Sequence, residues 1–328
     1  MSTPNLSELR TVAHVISLPL VTRFRGIDTR EVVLLEGPTG WTEFSPFLEY
    51  DDAEAAVWLA AAIDFGWQIQ PAPLRERIAV NATVPAVAAS DVVSVLARFD
   101  GCRTAKVKVA ERGQTLADDI ARVRAVRAAM GPEGRIRLDA NGAWNVDEAE
   151  HAVHELAAFD LEYLEQPCAS VDELVQLRER LADWDIPIAA DESIRKAADP
   201  LAVARTGAAD LLVVKAQPLG GVHRALKIVG DAGLPAVVSS ALETSIGLSM
   251  GLALAAALPH LDYDCGLGTA SLLAADVTSR PLRPESGTLP VGRVVPDREL
   301  LERHAAAPER REWWLARMDR CHAVLETG

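Results

Sequence analysis

Four charged residues each close a short apolar run: Asp139 ends RIRLD, Glu165 ends LEYLE, Asp191 ends IPIAAD and Lys215 ends LLVVK. They are separated by 26, 26 and 24 residues, one per strand-plus-helix unit. Carboxylates at the ends of neighbouring strands about 4.8 Å apart repel one another unless a cation neutralises them. Such an acid also serves to cap the helix after its strand, but three in register exceed that role. The donors are hard oxygens with no His or Cys among them, which selects Mg2+, or Mn2+ in its place, over zinc. Asp139, Glu165 and Asp191 are the expected metal ligands.

Lys106 and Lys108 in KVKV are two apart, so strand alternation puts both on one face, the inward face of a barrel strand. Buried lysines need a reason. A second ammonium, a partly dry pocket and a metal each disfavour the protonated amine, while three carboxylates pull the other way. Lys215, from the sixth run, faces them across the mouth. Lysines on two sides of an oxygen-held cation suit abstraction of a proton beside a carboxylate, with one amine moving the proton and the metal holding the enediolate.

Further along, SSALETSIG offers Ser239, Ser240 and a helix start to an anionic substrate tail, and Gly220-Gly221 opens another helix able to do the same. Arg23 and Arg25, in RFRGIDTRE, read as solvated arginines or as a lid over the mouth. No H-E-x-x-H and no Ser-His-Asp set occurs, and His151 and His154 read as surface residues. A glycosidase would leave the three lysines without a role. A Schiff-base aldolase would use Lys215 alone, and a non-catalytic metal scaffold would be expected to have lost the lysines.

Eight runs alternate with amphipathic helices from about residue 77: RIAVNATV, AKVKVA, RIRLDAN, LEYLEQP, IPIAADES, DLLVVKAQP, PAVVSSALE and LDYDCGLG. Thr115 with Asp118, Asn145 with Glu148 and Ser170 with Glu173 have capping-box spacing, and Asp199-Pro200 reads as a cap with proline at the first helical position. Before them, residues 11–50 hold β-like segments turning at Gly37-Pro38-Thr39-Gly40, then a helix from an Asp cap to Gly66. This predicts an α/β protein: a (β/α)8-type, modified TIM barrel with an α+β capping domain built from the N-terminal region and the C-terminal segment. The expected boundaries are 1–76 for the cap, 77–284 for the barrel and 285–328 for the segment returning to the cap. A doubly wound nucleotide-binding sheet lacks both its glycine fingerprint and a P-loop here.

The chain of 328 residues carries 33 Lys+Arg against 47 Asp+Glu, a net charge of −14. That disfavours nucleic acid and anionic membranes and leaves a small-molecule carboxylate as the expected partner, with the oligomeric state open. Ile246 to Leu258, the most apolar stretch, is too short to span a bilayer and reads as a buried helix. MSTPNLSELR has no leader character, and Cys102, Cys168, Cys265 and Cys321 form no C-x-x-C pair, so a reducing cytoplasm is expected.

In order, KVKVA, LDANGAW, LEQP, ADES and VVKAQPLGG resemble the enolase superfamily, closest to its muconate-lactonizing subgroup. The resemblance implies that Lys108 takes the proton α to the carboxylate and returns it to the departing hydroxyl on the same face. It implies that Lys106 orients the carboxylate, that Lys215 stabilises the enolate from the opposite side, and that Asn141, Gln166 and Glu192 hold the metal ligands. RGIDTREVVLLEG, VNATVPA and SALETSIGL are most similar to the o-succinylbenzoate synthases of actinobacteria. That likeness implies Mg-dependent syn dehydration of 2-succinyl-6-hydroxy-2,4-cyclohexadiene-1-carboxylate (SHCHC) to 2-succinylbenzoate in menaquinone biosynthesis. The alternative is N-acylamino acid racemisation or dipeptide epimerisation, which uses the same lysines on opposite faces.

Overall fold

The protein was analysed as a computed structural model, which describes residues 3–195 and 199–327. After a short helix, Leu6–Thr11, come three antiparallel strands: β1 (Ala13–Phe24), β2 (Ile27–Gly37) and β3 (Gly40–Phe44). The β2–β3 hairpin closes with Gly37 opposite Gly40. A side chain at Gly37 would lie 2.2 Å from the Gly66 carbonyl, so the sheet and the following helix meet backbone to backbone there. That helix, Asp52–Trp67, starts where the Asp51 carboxylate accepts the Glu54 N–H (2.8 Å), and it packs against the C-terminal helix Pro308–Thr327. Arg317 of the C-terminal helix also donates to the carbonyls of Phe47 and Tyr50, in the segment that leads into the first. The cap is therefore built from both ends of the chain, as expected.

RIAVNATV divides into two strands. β4 (Arg77–Ala79) turns away to pair antiparallel with β12 (Thr288–Pro290), and only β5 (Ala82–Val84) joins the barrel sheet. The sheet continues in chain order and parallel throughout: β6 (Thr104–Lys108), β7 (Arg135–Asp139), β8 (Leu161–Glu165), β9 (Ile188–Ala190), β10 (Leu211–Val214) and β11 (Ala236–Val238). The expected eighth strand, LDYDCGLG, is reduced to single bridges. Cys265 pairs with Val80 and Gly266 with Ser239, which curl the two sheet edges toward each other. This segment contains no β-branched residue and has two glycines, so it has little tendency to extend a ladder.

The three predicted capping boxes all form, at the starts of Leu116–Met130, Val146–Leu156 and Val171–Arg180. The Asp199-Pro200 start is corrected. Asp199 accepts the Leu201 N–H in a local turn, and the helix begins later, at Ala202–Thr206. The apolar run forms the buried helix Ser245–Ala257. Inside the barrel, Tyr163, Ala189, Leu211, Val213 and Val237 pack together beneath the charged strand ends.

Candidate active site

Strand register assembles the site. Lys108 is the Cα partner of Asp139 across β6–β7, and Asp139 is the partner of Glu165 across β7–β8. Asp191 and Lys215 follow the last residues of β9 and β10. Each continues the inward-facing positions of its strand, two residues beyond Ala189 and Val213. The three acids are fully buried, and Lys106 and Lys215 are nearly so.

Lys106 Nζ lies 3.0 Å from Asp139 Oδ2 and 2.9 Å from Glu165 Oε1, bridging two acids. Lys108 pairs with Asp139 and also donates to Asn141 Oδ1 (2.6 Å), while Lys215 pairs with Asp191. The two lysines of β6 respond oppositely. Burial works against the charge of Lys106, but Asp139 and Glu165 together outweigh it and hold the ammonium well above the ordinary value. For Lys108 burial prevails, helped by the Lys106 charge against the pull of Asp139, and its pKa is lowered. Burial and the Asp139 charge push Glu165 up to about 7. Burial also works against Asp139 and Asp191, but the ammonium groups of Lys106 and Lys108 keep the first well below the usual range, and Lys215 with Arg195 keeps the second at about 2.

Asn141, Gln166 and Glu192 border the acids. The Asn141 N–H donates to Asp139 Oδ1 (3.1 Å) and its amide reaches Glu192 Oε1 (3.3 Å). Gln166 Oε1 accepts the N–H groups of Asp191 and Ser193, fixing the start of the turn that carries Asp191. Asn141 and Gln166 both adopt positive φ, a conformation that turns the chain two residues after Asp139 and one after Glu165. Sequence reasoning missed Arg195, which lies 3.3 Å from Asp191 Oδ1 and 2.6 Å from Glu192 Oε1. Its position four residues beyond Asp191, on one helical turn, was the available signal.

Among the described residues no three His, Cys, Asp or Glu side chains converge around one point as a metal cage, because ammonium groups stand between the acids. The donor set nonetheless fits a hard cation. Three buried carboxylates end adjacent strands, and Glu165 Oε2 is buried with no hydrogen-bond partner, an acceptor left over when the lysines are satisfied.

The cavity above these groups is lined by all three lysines, Ser239, Ser240 and Arg25, and roofed by Phe24, Phe47 and Tyr50 from the cap. Ser240 Oγ donates to the Gly266 carbonyl (2.6 Å). Gly266 is required there, since a Cβ would sit 2.5 Å from Ser239 Oγ. Of the two lid arginines, only Arg25 reaches the cavity, its guanidinium over Phe47 and 3.3 Å from the Tyr50 hydroxyl; Arg23 folds back on the Gly26 carbonyl.

Gly220 is corrected. It does not line the cavity, and the helix beginning at Val222 is capped from the cap domain by Asp64, which accepts the Val222 N–H (3.0 Å). Glu43 similarly fills the start of the helix Ser245–Ala257 by accepting the N–H groups of Thr244 and Gly247. At both helix starts a carboxylate from the cap takes backbone N–H groups. His151 and His154 are exposed, as expected.

Residues 88–298 match the family model described as enolase C-terminal domain-like, and residues 15–66 the one described as enolase N-terminal domain-like. The chain is 54% identical over 323 residues to o-succinylbenzoate synthase of Mycobacterium leprae, covering 98% of this chain and 95% of that protein. It is also 54% identical over 321 residues to the o-succinylbenzoate synthase of Mycobacterium marinum, covering 98% and 96%. Among solved structures, muconate lactonizing enzyme of Pseudomonas fluorescens in complex with muconolactone superposes with a TM-score of 0.76 at 21% identity, over 90% of this chain and 98% of that one. A dipeptide epimerase of Enterococcus faecalis, in complex with Mg and L-Leu-L-Tyr, gives 0.70 at 23% identity, over 87% and 98%.

Proposed function

The chain belongs to the enolase superfamily, and from that premise we propose that it catalyses the reaction of the o-succinylbenzoate synthases: syn elimination of water from SHCHC to give 2-succinylbenzoate, a step of menaquinone biosynthesis. The observation that carries this choice is the 54% identity to o-succinylbenzoate synthase over 98% of the chain. The neighbours with racemase, epimerase or cycloisomerase names share the fold at lower identity.

In this reading Asp139, Glu165 and Asp191 would hold a divalent cation, Mg2+ or Mn2+ by their hard oxygen chemistry. When bound, that cation supplies positive charge beside the substrate carboxylate as its α carbon loses a proton. Lys108 is the base, because burial and the neighbouring ammonium disfavour its charged form. Its Nζ takes the α proton, the electron pair of that C–H bond is held as the enolate of the substrate carboxylate, and that pair then forms the new ring double bond as the C–O bond of the hydroxyl breaks. The same Nζ then returns its proton to the departing oxygen, so one water leaves and the ring becomes aromatic. Lys106, whose charge two carboxylates secure, orients the substrate carboxylate. Lys215, on the far side, steadies the enolate charge without exchanging a proton. Asn141, Gln166 and Glu192 fix the acids. Ser239 and Ser240 face the succinyl tail, and Arg25, which lines the cavity and pairs with Glu49 at its rim, is the cation we assign to its terminal carboxylate.

The same reading divides the chain into a cap of 1–76, a barrel of 77–284 and a returning segment of 285–328. It takes a small-molecule carboxylate as partner, neither nucleic acid nor a membrane, and a cytoplasmic location. Four unpaired cysteines suit a reducing compartment, and among the described residues no helix is long and apolar enough to cross a membrane.

Lysines on two sides of the acids also suit N-acylamino acid racemisation or dipeptide epimerisation, and one experiment separates the readings. With saturating Mg2+, loss of SHCHC ultraviolet absorbance is followed beside loss of optical rotation of an N-succinyl amino acid. Dehydration is expected to dominate, and a protein that only racemises would overturn the proposal.

A further inference from the structure

A buried polar network joins the cap to the barrel turn after β11, and no step of the reaction above uses it. Arg30 of β2 donates through Nε to the Leu242 carbonyl (3.1 Å) and through Nη2 to the carbonyls of Ala241 (3.3 Å) and Ser45. Glu43 of β3 accepts from the N–H groups of Thr244 (3.1 Å) and Gly247 (3.2 Å) and from the Ser45 hydroxyl (2.6 Å). Gln217, two residues beyond Lys215, accepts the Ser45 N–H (3.2 Å) and donates to Glu243 (3.4 Å). Arg30, Glu43, Ser45, Gln217, Glu243 and Thr244 are all buried.

Two features show that the turn is held in a conformation it would not adopt alone. Leu242 has a φ of +63°, a left-handed conformation that disfavours a branched side chain, and it persists because its carbonyl is gripped. At Gly247 a Cβ would stand 2.6 Å from Glu243 Cβ and 2.8 Å from the Glu43 carboxyl carbon, so the helix start is shaped around both acids. The turn carries Ser239, Ser240 and Ala241, which line the same cavity as Lys108.

We propose that Arg30 and Glu43 are positioning residues for the dehydration: reaching from the cap, they set the conformation of residues 239–244, so that cap docking and the shape of the wall that receives the substrate tail are a single property. The proposal rests on the functional reading above, because it assigns that wall to the succinyl chain.

The test compares Arg30→Lys, Glu43→Asp and Glu43→Gln with the wild type in SHCHC turnover under saturating Mg2+, with Mn2+ affinity followed by electron paramagnetic resonance. Lysine cannot reach three carbonyls and aspartate falls one methylene short, so each should raise KM for SHCHC about tenfold or more. Mn2+ affinity should stay within about twofold, since the acids are untouched. Glutamine keeps the reach and one acceptor oxygen and should recover most of the KM. A purely structural role would lower the amount of folded enzyme and its melting temperature while leaving KM unmoved, and that result overturns the proposal. If the charged variants do not fold, Ser45→Ala decides. Loss of one hydroxyl should raise KM about two- to fourfold, and an unchanged KM overturns the proposal. Wild-type protein inactive on SHCHC would instead overturn the functional reading, and this inference with it.

Discussion

Lys106 and Lys108 share one face of β6, yet their surroundings drive their ammonium groups in opposite directions. The difference follows from position. Lys106 lies deeper and bridges Asp139 and Glu165, whereas Lys108 meets one acid, one amide and its neighbour's charge. A base acts in its neutral form, so kcat/KM is expected to rise with pH as Lys108 deprotonates, with the midpoint below the ordinary lysine value of about 10.4. A pH–rate profile on SHCHC checks this, and a limb at or above that value contradicts the assignment. The residue types and their spacing were legible in the sequence because a strand ending in a charge is rare among apolar runs. The direction of each lysine's shift was not, because it depends on which oxygen lies within reach. Arg195 escaped for a related reason: its spacing from Asp191 is visible in the sequence, but nothing in its residue type marks all three of its carboxylate neighbours, Glu54, Asp191 and Glu192.

Helix starts were the most legible elements, because a capping box is a local arrangement of one polar side chain and an acid three residues on. The two helix ends offered to substrate were misread because their occupants, Asp64 and Glu43, come from another layer some 150 to 200 residues away in sequence. The eighth strand failed because periodicity cannot distinguish a ladder from two bridges. Glu43 also gives the cap–barrel joint a pH dependence. Burial first, then the Glu243 carboxylate, push its carboxyl up to about 7. An acid raised in the folded state contributes stability that is fully present below its unfolded value of about 4.5 and is lost as pH rises through about 7. Denaturant unfolding at pH 5 and pH 8 should therefore show Glu43→Gln gaining relative to the wild type at the higher pH; a pH-independent difference would contradict this.

At the scale of the molecule, three buried acids meet three lysines and Arg195 at the barrel mouth, on a chain with a net charge of −14. The barrel-plus-cap architecture was legible because eight punctuated runs and a distinct β-then-α opening leave few ways to pack. The division of the first run between barrel and cap was not, since β4 is claimed by a strand more than 200 residues later. A divalent cation that binds the folded acids and not the unfolded chain should raise the melting temperature, by about 2.7 kcal/mol of stability at a hundred times its Kd. Thermal melts with and without a chelator read this directly, and Asp191→Asn should abolish the increment.

The most direct measurement is the turnover of SHCHC by Lys108→Ala beside the wild type at saturating Mg2+. A folded variant whose kcat falls roughly 10²- to 10⁴-fold is the expected result. A folded variant that keeps wild-type turnover would contradict the account, because the proton would then leave by another group.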